Sequence, residues 1–179
     1  LRNGFTFLRD LFDSGCAWTS RLPQPYEYFA DRNTLFYSGS LEDILLQTRV
    51  MQHAGSTDQW GVLPYLSTGR KPAVLISGPS YAIVVASPEQ QLASWILIRW
   101  LISAKNQAAL AQNSGSWPAS VTALENLIDF REEYPQWSQT LAWIPAAQPT
   151  PQASSWMAVR GIFSDAAWMR AMSFSRSLS

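Results

Sequence analysis

WGVLPYLSTGRKPAVLISGPSYAIVVASPEQQLASWILIRWLISAKNQ, residues 60–107, carries the clearest alternation of local signals in the chain. Ala73–Ser77 and Tyr81–Ala86 are apolar, β-branched runs on either side of Gly78-Pro79, which predicts strand, tight turn, strand. Ser87-Pro88-Glu89-Gln90 then reads as a capping box with Pro at the first helical position, where a missing N–H costs nothing. The helix it launches runs to about Ser103. Leu92, Trp95, Ile96, Ile98, Trp100, Leu101 and Ile102 make it apolar on more than one side, so deep packing is expected. A second helix follows from about Ala104 and ends near Gly115.

Upstream, Phe5, Leu8, Leu11 and Phe12 fall at helical spacing, and Gly15 is a suitable stop. Residues 16–26, with Pro23 and Pro25, read as a loop, and Thr34–Ser38 as a short buried strand. Ser40 is a good N-cap for a second helix, with Glu42 and Asp43 in its first turn and Gly55 closing it. Gln59–Tyr65 predicts a further strand, and Ser67–Pro72 a polar turn carrying Gly69, Arg70 and Lys71. Downstream, Trp117-Pro118 is a non-helical step. Shorter helices are expected over 119–130 and 135–142, then a Pro-containing linker over Ala146–Pro151. A last helix from about Ser154 to Met172 has Trp156, Val159, Phe163 and Ala167 along one side, followed by a loose Ser-rich tail. Strands interleaved with helices predict an α/β fold.

The 179 residues carry 13 basic and 13 acidic side chains, so net charge is zero. That balance argues against a nucleic-acid binder and gives no attraction to acidic membranes. Cys16 is the single cysteine, which rules out an intrachain disulfide, and no apolar run approaches a membrane span. The groups that chemistry requires are scarce. His53 is the only histidine, at the end of a predicted helix where it favours the dipole, so no usual metal cluster or cofactor is expected. No G-x-S-x-G, G-x-G-x-x-G or phosphate-binding loop occurs. The acidic pairs Glu42-Asp43 and Glu132-Glu133 are adjacent residues, which do not share a helix face, and read as solvated charges. The Trp content is high, with nine residues, and either fills a core or supplies flat faces for sugar rings. An enzyme is therefore not expected. A carbohydrate-active hydrolase and a structural α/β interaction module are the alternatives to a binding protein.

Four stretches in order resemble the second half of the family 1 extracellular solute-binding proteins, of maltose and multiple-sugar type. They are NGFTFLRDLFDSG, YFADRNTLFYSGSLEDI, the run 60–107 quoted above, and SSWMAVRGIF, together covering most of residues 3–170. The resemblance implies a periplasmic-binding-protein-like type II fold, with one lobe largely complete and a crossover segment of the other. Residues 1–76 and 123–179 would form the second lobe. Residues 77–122 would complete the first, whose N-terminal part is absent, with hinges near Ser77 and Thr122. It implies a small-molecule ligand, a sugar by preference, and delivery to ABC permease subunits. It also implies an extracytoplasmic location, with membrane attachment only through an upstream lipid anchor or the permease. The chain would then be about half of a longer protein, with an exposed apolar face over 77–122 open to self-association.

The same resemblance supplies candidate ligand contacts. The turn Gly39-Ser40-Leu41 matches a place where the family often has Gly-x-Trp at a helix start, although Leu41 replaces the aromatic. An ordinary capped helix is the competing reading there. Ser77-Gly78-Pro79, with Tyr81 just beyond, matches the Gly-rich crossover, although Pro79 removes one N–H donor. Trp156 matches an aromatic on the closing helix that stacks on sugar, and Trp117 sits in a loop before Pro118. Trp60, Trp95 and Trp100 read as core.

Overall fold

The computed structural model describes residues 2–18, 25–65, 72–151 and 153–175. The expected turn at Ser67–Pro72 lies almost wholly outside the described residues, as do the middle of the 16–26 loop and the end of the Ser-rich tail. The chain divides into two compact units, Leu1–Pro25 with Thr150–Ser179, and Tyr26–Pro149.

In the first unit α1 (Arg2–Asp13) packs against α8 (Trp156–Ser175), with the rings of Phe5 and Phe163 stacked at 6.3 Å between centroids. The stop predicted for α1 forms as expected. Cys16 N–H donates to the Leu11 carbonyl and Gly15 N–H to that of Phe12, closing the helix in a Schellman pattern.

The second unit holds α2 (Tyr26–Ala30), α3 (Asp43–His53), β1 (Val74–Ile76), α4 (Pro88–Leu101) and α5 (Ala104–Ser114). A 3₁₀ turn (Val121–Asn126) leads into α6 (Ile128–Glu133) and α7 (Pro135–Thr140). A second 3₁₀ turn (Leu141–Ala146) then leads into β2 (Ala147–Pro149). The core gathers Ile44 and Leu45 of α3, Ala108 and Ala111 of α5, Ala123, Leu127, Phe130 of α6 and Trp137 of α7. Trp137 is fully buried, and its indole N–H donates to the Gly115 carbonyl at 2.6 Å. Gly115 ends α5 at φ +74, and a Cβ there would meet Leu45 Cδ1 at 2.9 Å and the Glu42 Cα at 3.2 Å. Only glycine lets this loop lie so close to the start of α3.

The α/β expectation holds only in a reduced form, because the described residues are helix-rich with one small sheet. β1 does not turn back at Gly78-Pro79 to pair with Tyr81–Ala86. It pairs in parallel with β2, in the register Val74 with Ala147, Leu75 with Gln148 and Ile76 with Pro149. The stretch expected to be a Pro-containing linker is therefore a strand. Thr34–Ser38 is not a strand either; Leu35 and Phe36 are 91% and 83% exposed, so no neighbouring chain rewards the extended pattern. Gln59–Tyr65 makes no ladder beyond a single bridge from Tyr65 to Ala73. Instead its Trp60 and Val62 carbonyls accept bonds from the side-chain amides of Gln136 and Gln139 on α7. The capping box forms as read. Ser87 Oγ accepts from Gln90 N–H, and Gln90 Oε1 accepts from Ser87 N–H. The deep packing expected of α4 is absent, since none of its residues is buried.

Candidate functional site

Asp43, at the first turn of α3, organises the turn that the sequence singled out. Its Oδ2 accepts from Ser40 N–H at 2.6 Å and from Ser40 Oγ at 3.1 Å. Its Oδ1 accepts from the Tyr26 hydroxyl at 2.5 Å, so one carboxylate ties the turn and α2 to α3. Gly39 fits because a Cβ would lie 2.8 Å from Asp43 Oδ2 and 3.2 Å from the Tyr37 ring. Ser40 is thus not the simple N-cap expected. Its hydroxyl donates to Asp43, α3 begins three residues later, and no side chain caps at Glu42. Both donors of Ser40 being committed, a ligand at this turn would meet the serine oxygen and the backbone N–H groups that follow. The Ser-x-x-Asp spacing of Ser40 and Asp43 was the available signal for this clasp.

Beside the turn runs a chain of edge-on ring contacts. Tyr37 meets Tyr26 at 6.2 Å and Phe29 at 5.6 Å, and Phe29 meets Trp60 at 6.1 Å. Phe29, Tyr37 and Trp60 are half-buried, which gives this row both packed and solvent-facing surface. Burial first, and the Asp43 charge second, push the Tyr37 hydroxyl up to about 12. Burial, with the bond to Asp43 next, raises Tyr26 further still. Gln47 lies fully buried beneath, its amide N–H₂ donating to the Tyr26 carbonyl at 3.2 Å.

Of the other candidates, some lie within the packing and some in exposed segments. Leu41 and Trp117 both pack against the core, and the Trp117 indole N–H donates to Thr140 Oγ1 at 2.9 Å. Ser77, Gly78, Pro79 and Tyr81 are exposed after β1. Trp156 is half-buried at the start of α8, in the first unit. Trp60 packs on the core as expected, whereas Trp95 and Trp100 are exposed rather than core. Among the described residues no group of His, Cys, Asp or Glu could hold a metal ion, and no helix is long and apolar enough to cross a membrane.

A family model of bacterial extracellular solute-binding proteins matches residues 3–142, well over half of the chain. The chain belongs to this family. Solute-binding proteins of this kind work outside the cytoplasm, and they capture a small molecule for a transporter instead of converting it. Membership implies a periplasmic-binding-protein-like fold; the described residues themselves form a mixed, helix-rich structure with a small two-stranded sheet. No curated protein matches the chain.

Proposed function

We propose that this solute-binding protein captures a carbohydrate, without turnover, and delivers it to the permease subunits of an ABC importer. The observation that carries the reading is the family match, together with the row of half-buried rings beside the Gly39–Leu41 turn. Aromatic faces suit the C–H faces of sugar rings, and backbone donors at a turn suit hydroxyls. In this reading the chain contributes to both lobes of a type II fold, and the lobes close around the ligand by hinge motion. Ser40 supplies an acceptor, the exposed Ser77-Gly78-Pro79 turn and Tyr81 supply a second contact surface, and Trp117 and Trp156 supply rings.

Titrating mono- and oligosaccharides into the protein carrying both lobes, with Trp fluorescence and Tm as readouts, tests this. A saturable change with one class of sugar is expected, with no release of reducing sugar from glycans. Trp156→Ala should weaken that binding at least about tenfold, the loss of one stacked ring, while leaving the circular dichroism unchanged. A broad panel that moves neither readout removes the carbohydrate assignment. Unchanged affinity in the variant removes Trp156.

A further inference from the structure

Among the described residues Arg32 is the one residue other than glycine at positive φ, at +60. It stands where α2 ends. Its N–H donates to the Phe29 carbonyl at 3.1 Å, and the Asn33 N–H donates to that of Tyr28 at 2.8 Å. Glycine or asparagine fills this left-handed closing position most easily, so the backbone gives no reason for an arginine. A residue keeps such a conformation where its surroundings hold it, and here they hold the side chain. Nε and Nη2 of the guanidinium donate to the two Asp58 carboxylate oxygens at 2.7 and 2.8 Å.

We propose that Arg32 is a positioning residue for the ring row, its grip on Asp58 fixing the angle at which Trp60 sets its ring beside Phe29. This rests on the reading above that the row meets the ligand. The contacts run in step. Asp58 meets Arg32, and Trp60, two residues on, meets Phe29, three residues back, with ring centroids 6.1 Å apart and planes at 73°. Downstream of the ring, the Trp60 carbonyl takes the Gln136 side-chain amide at 3.1 Å. The segment is therefore held on both sides of Trp60, at the end of α2 by a charged fork and at α7 by an amide. The fork is planar and makes two bonds, which sets an orientation as well as a distance. It is also open to water, with the two side chains 74% and 38% exposed. An ion pair so exposed adds little to global stability and is screened by salt, so its effect is on local geometry.

Fluorine NMR of the 179-residue chain labelled with 5-fluorotryptophan tests this, the Trp60 line being the one lost in Trp60→Phe. A single narrow Trp60 line is expected in the parent chain. Arg32→Gly relieves the backbone, so Tm should hold within about 2 °C or rise, while the Trp60 line shifts by more than its width or broadens. Asp58→Asn should move the line in the same direction. Arg32→Asp combined with Asp58→Arg should bring it back, since aspartate also tolerates the left-handed region. Sodium chloride at about 1 M, where screening acts within about 3 Å, should move the parent line toward its Arg32→Gly position and leave the variant's line in place. In the protein carrying both lobes, maltose as the probe sugar should bind at least about threefold more weakly after Arg32→Gly, at unchanged Tm. A Trp60 line indifferent to Arg32→Gly overturns the proposal. So does a line that moves only together with a fall in Tm, the mark of a merely structural pair, or a moved line beside unchanged maltose affinity. Should maltose and the rest of the sugar panel leave the parent protein unchanged, the carbohydrate reading falls, and the fluorine line decides the role of Arg32 by itself.

Discussion

Asp43 shows how much one side chain settles locally. Its carboxylate receives the Tyr26 hydroxyl and two donors from Ser40, and Gly39 leaves the space it occupies. Gly39→Ala should force Asp43 aside and destabilise the protein by about 1–2 kcal/mol, the worth of one charge-assisted bond. The urea midpoint measures this, and a midpoint that does not move would remove the clasp from the account. The rings beside it carry a pH signature. Unfolded tyrosines lose their protons near pH 10, whereas burial and the Asp43 charge hold Tyr37 protonated to about 12. The unfolded state therefore binds fewer protons in that window, so stability falls as pH rises from about 10 toward 12. Tyr37→Phe should flatten that fall in a series of melting temperatures, and an identical slope in the variant would argue against it. At the opposite end of the same loop, Arg32 adopts φ +60, a conformation that usually selects Gly or Asn. Its guanidinium holds Asp58 in two bonds of 2.7 and 2.8 Å, and the pair keeps the Asp58 carboxyl below its usual range.

Helix boundaries were the most legible elements, because stops and caps are local chemistry. Gly15, Gly55 and Gly115 all close helices at positive φ, as their positions after apolar runs predict. The Ser87-Gln90 box forms in full, so Ser87→Ala should cost about 1 kcal/mol and fray the first turn of α4. Faster amide hydrogen exchange at Glu89–Gln91 would report it, and unchanged protection would mean that the exposed helix holds its start by other bonds. Strands were poorly legible for the opposite reason. Thr34–Ser38, Gln59–Tyr65 and Tyr81–Ala86 have the right residue types, but a strand exists only where a partner offers its backbone. β1 found that partner in Ala147–Pro149, where two prolines nearby suggested a linker. No local rule links segments so far apart in the chain.

The second unit is held by its own core, where Trp137 is the largest fully buried side chain among the described residues. Trp137→Phe leaves a cavity and an unpaired Gly115 carbonyl, a loss of roughly 2–4 kcal/mol. Urea unfolding followed by circular dichroism measures it, and a loss below about 1 kcal/mol, the scale of a surface change, would show that the core does not depend on this indole. The short α2 was not within reach of the sequence alone, and the helix expected over 119–130 is a 3₁₀ turn followed by α6. Most helix positions, the capping box, the scarcity of catalytic groups and the solute-binding family were. Each rests on residue types at short spacing or on an ordered set of motifs. Which Trp residues are core was a tertiary decision. Trp137 is sealed by α3, α5 and α6, whereas Trp95 and Trp100, on α4, stay about half exposed. The run 60–107 therefore determined where a helix begins and what it is made of. Burial depends on surfaces brought from elsewhere in the chain, so only the tertiary structure decided that α4 lies open and that β1 pairs with β2.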